Sequence, residues 1–481
     1  MIGINEKDQA MFISGEWKQK TEMIEVQDPG KRVTIGYVPN GQKEDMVEAL
    51  QSAVLGREIA AALTVRERMD ILMNVSRLIL EEREDIAEII ASEGIKTITE
   101  ARKEARRAAE TLQICAEEAR RLTGSTVNFD QMPGNAHRHG YTFMFPIGIV
   151  GAITPFNDPL NLVAHKIGPA IAGGNAVVLK PATETPLSAF WLTKKFQESG
   201  LPDHVLNVVT GRGSEVIPPM IAHPDVRLIS FTGGLKTGET LAKQAGLKKI
   251  GMELGANSPL IVCKDANIGV AAKAAVTAAF ASAGQNCLGV QRMIVHEDVF
   301  DIFTEQVIEH TSRLAFGDKM RETDDVGPLI NEKEAERMIH RIDEAIDKGA
   351  RLLCGGVLHG NYLEPTLLTD VPKDTLLYKE EIFGPIAMIE SFQSLKEAVR
   401  VANDVNYGLQ AGIFTASLSN AHYAIQKLHV GGVMVNDSSD FRIDAMPFGG
   451  TKGSGLGREG VLSALHEMTE PRVVCFTEIE E

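Results

Sequence analysis

The sequence predicts an α/β protein built as two lobes with a cleft between them, and three observations carry that expectation. From Phe145 onward, short runs rich in β-branched residues recur: "PIGIVGAITP", "NAVVLKP", "HVLNVVTG", "VRLISFTGG" and "KKIGMELG". Helix-like stretches separate them, and near-continuous apolar strands alternating with helices imply a parallel sheet covered on both faces. A second alternating block begins near Ser258, and 481 residues suit about two or three domains.

Taken in order, residues 43 to 123 carry long helical patterns. "TVRERMDILMNVSRLILEEREDIAEIIASEG" opens with a Thr64…Glu67 capping box and keeps apolar residues at helical spacing up to Gly94. "EARKEARRAAETLQICAEEARRL" continues as a second helix with a basic face. Residues 123 to 145 change character and read as an extended, hairpin-like excursion. Within the first alternating block the helices are "LNLVAHKIGPAIAGG", "PLSAFWLTKKFQESG" and "KTGETLAKQAG". The second block holds an alanine-rich helix after Asp265, the strand "RMIVHE" and helices around 299 to 314 and 332 to 350. Its remaining strands are expected near 385 to 392, 409 to 415 and 430 to 436, and no internal repeat stands out.

Composition narrows the function. The net charge is -16 with no long basic run, so no nucleic-acid partner is expected. The five cysteines are scattered and unpaired in spacing, which fits a reducing compartment rather than a disulfide scaffold or zinc cluster. The first residues lack a leader pattern and no apolar stretch would span a bilayer, so a cytoplasmic protein without a membrane partner is expected. No His-Glu-x-x-His or other ligand spacing occurs, and no metal is expected.

Several short stretches could carry chemistry. In "ASAGQNCLGVQR", Cys287 stands among Gly284, Gln285, Asn286 and Gly289, where a structural cysteine would have apolar neighbours. Such a turn lets backbone N–H groups approach a ligand. "KKIGMELG" places Glu253 in an apolar strand, where a carboxyl group either finds a partner or has a raised pKa suited to acid–base work; on its own, a solvent-facing edge glutamate would serve as well. "AITPFNDPLNL" sets Asn157 on a strand-to-helix turn, placed to donate to an oxyanion or simply to form the turn. Lys180 ends the strand of "VVLKPATETP", where open α/β sheets bind ligands. "FTGGLKTG" has Gly233 and Gly234 but carries Glu239 where a phosphate loop needs lysine, and no strand is followed by a good G-x-G-x-x-G fingerprint. Glu381 in "EEIFGP" means little alone.

In this order, "PFN", "LKP", "FTGG", "MELG", "GQNC", "EIFGP" and the late "PFGGTKGSGLGREG" resemble the aldehyde dehydrogenase superfamily over essentially the whole chain. The resemblance implies a Rossmann-like cofactor lobe over 1–122 and 143–252 and an α/β catalytic lobe over 253–455. A small bridging oligomerisation arm and C-terminal segment would cover 123–142 and 456–481. Dimers or tetramers are usual in the family, and an exposed strand suits such pairing. The implied catalytic residues are Cys287 as nucleophile, Glu253 as base for thioester hydrolysis and Asn157 as oxyanion donor. NAD or NADP would meet Thr154, Pro155, Lys180, Thr183, Glu184, Gly233, Gly234, Glu381 and Phe383. Substrate contacts fall to Arg107, Asp158, Asn286 and Arg442.

One departure bears on the cofactor. NAD-preferring members often carry a glutamate three residues after the lysine; here that residue is Thr183, with Glu184 next, so NADP is tolerated and the preference stays open. "PFNDPLNLVAHKIGPAIAGGNAVVLKPATETP" and "FRIDAMPFGG" resemble the branch that oxidises small hydroxylated or anionic aldehydes. Lactaldehyde, sulfolactaldehyde, phosphonoacetaldehyde, succinate-semialdehyde and non-phosphorylating glyceraldehyde-3-phosphate dehydrogenases form that branch. Asn286 stands where some phosphonate- or phosphate-selective members have arginine, which counts against a doubly charged phosphoryl substrate. Arg107 and Arg442 are placed for an anionic group or are solvated surface arginines. The rival readings are an esterase or acyltransferase using the same thioester, and a catalytically silent structural relative.

Overall fold

Each expected rhythm of apolar runs becomes a mostly parallel sheet in the computed structural model, which describes residues 10–479. Residues 1–9 of the expected cofactor lobe and 480–481 of the expected C-terminal segment lie outside the described residues.

Among the described residues, the first sheet has eight strands. Its central five are Leu206–Val208, Ala176–Lys180, Ile149–Ile153, Val226–Thr232 and Lys249–Glu253 in that spatial order, all parallel. Strand order reverses direction at Ile149–Ile153, between Ala176–Lys180 and Val226–Thr232, which makes the carboxyl ends of these strands a ligand crevice. These strands read as continuous apolar runs because helices cover both faces.

The helix Val65–Glu81 starts as the sequence requires: Thr64 accepts from the Glu67 N–H at 3.2 Å and Glu67 accepts from the Thr64 N–H at 2.8 Å. The apolar pattern to Gly94 is two helices, however, with a break at Glu82 before Arg83–Glu93. Glu82 leaves the helical conformation there and takes the Lys195 ammonium at 2.7 Å. The helix Ile98–Ala119 buries Ala101, Ala105, Ala108, Ala109 and Leu112, small residues that let it lie close to Asn161–Ala172 and Val65–Glu81.

The second sheet has seven strands among the described residues. Thr366–Thr369, Ile386–Phe392, Val290–His296, Ser258–Val262, Gln410–Phe414 and Gly432–Val435 run parallel, with Arg351–Cys354 antiparallel at one edge. A third sheet joins Thr126–Val127, Arg138–Pro146 and Thr469–Thr477.

Two of the expected arm boundaries fall within continuous elements. Residues 143–146 are part of the strand Arg138–Pro146 of the third sheet. Residues 456–468 turn back: Gly455–Leu456 pairs with Lys249–Glu253, and the helix Val461–Glu467 buries Val461 and Leu465 in the first core. Those apolar side chains drive the return, since burying one contributes about 1.5–3 kcal/mol. No helix among the described residues is long and apolar enough to cross a membrane.

Candidate active site

The cysteine turn is held rather than flexible. After the helix Ile268–Phe280, three successive residues take left-handed conformations: Ser282 (φ 52°), Ala283 (φ 54°) and Gly284 (φ 64°). Non-glycine residues pay for that conformation, so the surroundings must impose it. Glu100 accepts from the Ser282 N–H at 2.7 Å while its other oxygen accepts from the Thr97 N–H at 3.0 Å. Gln285, fully buried, donates to the Pro328 carbonyl at 3.0 Å and accepts from the Ile330 N–H at 3.1 Å. Gly284 sits so close to Gly384 that a Cβ would lie 2.1 Å from its carbonyl oxygen. The chain is thereby clamped on both sides of Cys287, which is half-buried at a cavity wall.

That cavity has a volume of about 990 Å³ and brings Cys287, Glu253 and Asn157 together. Burial pushes the Cys287 thiol up to about 12; the Arg442 guanidinium opposes this, and the Glu381 and Glu253 carboxyls add to it. Glu253 ends its strand beneath Gly449, whose absent side chain leaves room for Oε1. Its carboxyl group is pushed well above the usual range by burial and by Glu459, against Arg442 and Lys166. Its Oε2 has no hydrogen-bond partner among the described residues. A buried acceptor without a partner is costly unless a ligand or water completes it. Asn157 lies on the turn between Ile149–Ile153 and Asn161–Ala172, nearly buried and on the same cavity.

The expected cofactor residues divide into two groups. Pro155, Gly233, Gly234, Glu381 and Phe383 line the cavity. Thr154, Lys180, Thr183 and Glu184 do not line it; they cluster beside it at the carboxyl ends of Ile149–Ile153 and Ala176–Lys180. The residues present fit a dinucleotide. Lys180 Nζ donates to Thr183 Oγ1 at 2.9 Å, and burial lowers its pKa to about 8, against the pull of Glu184. The Thr154 hydroxyl is buried without a partner, and a Cβ on Gly234 would meet open space. Burial raises Glu381 to about 7, while the Ala256 N–H, at 3.0 Å, favours its charged form. Phe383 adopts φ 53° and meets Phe156 edge-on, with ring centroids 5.7 Å apart. Phe156 stands in the quoted "PFN" without an assigned role, and only its place across the cavity reveals one.

The expected substrate residues also line the cavity, but all four are engaged by the protein. Arg107 forks onto Asp444, with Nε 3.2 Å from Oδ2 and Nη2 2.8 Å from Oδ1, and reaches Asp158 at 3.7 Å. Asp158 also bonds Lys96, which holds Glu104 at 2.7 Å. Arg442 lies 3.8 Å over the Phe448 ring, 3.8 Å from Glu459 and 4.0 Å from Asp444, and its Nε has no hydrogen-bond partner. The Arg442 side chain is buried, and Arg107, partly exposed at the cavity, is held by carboxylates. Burial would raise Asp444, but His165 at 2.8 Å and Arg107 outweigh it and hold the carboxyl well below the usual range. Glu459 is likewise brought down to about 2, since Lys166 and Arg442 outweigh its burial. Asn286 accepts from the Leu288 N–H at 3.0 Å and donates to Asp440, so its amide is spent on the turn. Gln285, Asp440, Asp444 and His165 escaped the sequence reading; "FRIDAMP" contains Asp444, but nothing local signals its partners.

A thiol, a carboxyl with a raised pKa and a side-chain amide share one cavity beside the crevice at the strand ends, a set of groups that could form and release a covalent acyl intermediate. Among the described residues no cluster of three or more His, Cys, Asp or Glu side chains is arranged to hold a metal.

Comparison with known proteins agrees. The sequence profile described as "Aldehyde dehydrogenase family" matches residues 17–474. The chain is 43% identical over 453 residues to "Aspartate-semialdehyde dehydrogenase 1" of Pseudomonas canavaninivorans, covering 94% of this chain and 96% of the relative. It is 42% identical over 470 residues to "3-sulfolactaldehyde dehydrogenase" of Priestia megaterium, covering 98% of each. The crystal structure of glyceraldehyde-3-phosphate dehydrogenase GapN from Methanocaldococcus jannaschii, complexed with NADP, superposes with a TM-score of 0.92 at 37% identity, covering 95% of this chain and 100% of that one.

Proposed function

The chain belongs to the aldehyde dehydrogenase family and is an NAD(P)-dependent aldehyde dehydrogenase; from that premise we propose that it oxidises a small hydroxylated aldehyde, lactaldehyde- or sulfolactaldehyde-like, to its carboxylate, and among these one that carries an anionic group, as sulfolactaldehyde does. The observation that carries this reading is the single cavity shared by Cys287, Glu253, Asn157, Arg107 and Arg442. The short anionic substrates in the names of the two relatives support it.

The chemistry follows from the residues. A thiol pushed up to about 12 is a poor nucleophile at neutral pH, so Cys287 gives up its proton to solvent at the open cavity as it attacks, and Glu253 acts afterwards, on water. The sulfur bonds to the carbonyl carbon, and the C=O electron pair moves to oxygen. The Asn157 amide and the Cys287 N–H hold that oxyanion; one such donor contributes about 2.7–4 kcal/mol. When bound, the nicotinamide supplies a two-electron acceptor, for which Phe383 and Phe156 frame the space. Cys287 is then left as a thioester. Glu253 removes a proton from water, the water oxygen attacks the thioester carbon, and the Cys287 sulfur leaves as the carboxylate product forms. Lys180 and Glu381 hold ribose hydroxyls. Lys180 with Thr183 accommodates a 2′-phosphate, because position 183 offers no carboxylate to repel it.

The reading includes a homodimer or homotetramer joined through the arm. Its strands expose Phe143, Val473 and Phe476, each roughly half-exposed or more, an apolar edge suited to a second copy. It also places the enzyme in the cytoplasm, since all five cysteines are free.

The test is reduced-cofactor absorbance with lactaldehyde, sulfolactaldehyde, succinate semialdehyde and propanal. The proposal expects the highest kcat/KM for a hydroxylated anion. Propanal oxidised as efficiently as sulfolactaldehyde would refute the substrate class.

A further inference from the structure

The loop after strand Gly432–Val435 reaches the cysteine turn and is fixed there. Ser439 Oγ donates to the Leu288 carbonyl at 2.6 Å, and Gln410 donates to the Ser439 and Phe441 carbonyls at 2.7 and 3.2 Å. This holds Asp440 against Asn286, whose amide bonds one carboxylate oxygen. Asp440 Oδ2 has no polar partner among the described residues, while the residue lines the cavity of Cys287. Asn286 directly precedes Cys287 in the chain, and Asn286, Asp440 and Cys287 line the same cavity. Asn286 spends one amide N–H on Asp440 and accepts from the Leu288 N–H, and Asp158 is engaged by Lys96 and Arg107. Asp440 thus keeps a carboxylate oxygen still to fill, unlike Asp158. Arg107 lines the same cavity, so a substrate held there has a cation available for an anionic group.

We propose that Asp440 is a specificity-determining residue whose second carboxylate oxygen accepts a hydrogen bond from a hydroxyl or ammonium substituent near the aldehyde carbon. The enzyme thereby selects aldehydes that carry a donor over those that lack one. This rests on the aldehyde-oxidising reading above and refines its substrate class. A site built around an acceptor discriminates because an analogue without the donor leaves the acceptor desolvated and unpaired.

The test measures kcat/KM for two matched pairs, lactaldehyde against propanal and aspartate semialdehyde against succinate semialdehyde, in the parent and in Asp440→Asn and Asp440→Ala. The parent prefers at least one donor-bearing member by about ten- to a hundredfold. Asp440→Asn and Asp440→Ala bring that ratio toward one. The pair that collapses identifies hydroxyl or ammonium as the donor recognised, and an ammonium pair should respond more strongly to charge removal in Asp440→Asn. Unchanged ratios in both variants, or a parent without preference in either pair, overturn the inference and leave the oxidation of aldehydes standing. Absence of cofactor reduction with every aldehyde in the parent would instead remove the reading on which it rests. A folding defect alone lowers both members of a pair together and leaves the ratio intact, and it is read as refutation.

Discussion

Replacing Gly284 by alanine should disable the enzyme without touching any reacting group. At Gly284 the backbone has φ 64°, and an added Cβ would stand 2.1 Å from the Gly384 carbonyl oxygen and 2.5 Å from its carbon. Ordinary carbon contacts are about 3.5–4.0 Å, so one of the two segments must move by roughly 1 Å or more. The left-handed conformation costs about 1–2 kcal/mol for a residue with a Cβ, and overpacking about 1–3 kcal/mol. The sum is about 2–5 kcal/mol, and the turn cannot move without carrying Cys287. A displacement near 1 Å costs about a hundredfold in rate. The assay compares kcat/KM and the rate of iodoacetamide alkylation of Cys287 in the parent, in Gly284→Ala and in a control. Gly200→Ala is that control, since φ is 81° but no atom lies within 4 Å of the added Cβ. It should lose stability and keep activity. Gly284→Ala with parental kcat/KM and parental alkylation would refute the claim that this close approach positions the thiol.

Three further outcomes follow from the same geometry. Arg107→Ala and Arg442→Ala should each lower kcat/KM for an anionic aldehyde by about 2–5 kcal/mol in transition-state terms while sparing a neutral one of equal length; equal losses on both substrates would assign the arginines to holding Asp444 and Glu459. NADPH affinity, measured by fluorescence titration, should rise as pH passes about 7 and Glu381 becomes a carboxylate, then fall above about 8 as Lys180 loses its charge; Glu381→Gln should remove the acid limb alone. Thr183→Glu should shift the kcat/KM ratio of NADP to NAD down by about ten- to a hundredfold, because a carboxylate then faces the 2′-phosphate.

The sequence made the two α/β blocks readable, and the thiol, carboxyl and amide that share the cavity, because each leaves a local mark. Alternating apolar strands announce covered parallel sheets, and Cys287 is conspicuous for its glycine and amide neighbours. Its glycines and amides read as an open turn, yet Gln285 and Glu100 fasten it through residues 43–45 and 182 positions away. Such long-range bonds leave no spacing to read. The same holds for Arg107, whose partner Asp444 is 337 positions distant, and for Asn286, which meets Asp440 from 154 positions away. Helical periodicity carries across Glu82 because the break is one residue long and Ile79 and Ile86 on either side are buried in the same core. The return of residues 456–468 depended on the core offering room for Val461 and Leu465, which periodicity does not encode.

The central claim is that Cys287 carries the acyl group and Glu253 releases it. It is tested most directly by mixing Glu253→Gln enzyme with cofactor and aldehyde, quenching in acid, and measuring reduced cofactor and peptide masses together. The account predicts a burst of about one reduced cofactor per site, slow turnover afterwards, and the acyl mass on the peptide bearing Cys287. No burst and no acylated peptide would place Glu253 before thioester formation, and an acyl mass on Cys263 or Cys354 instead would contradict the assignment of the nucleophile.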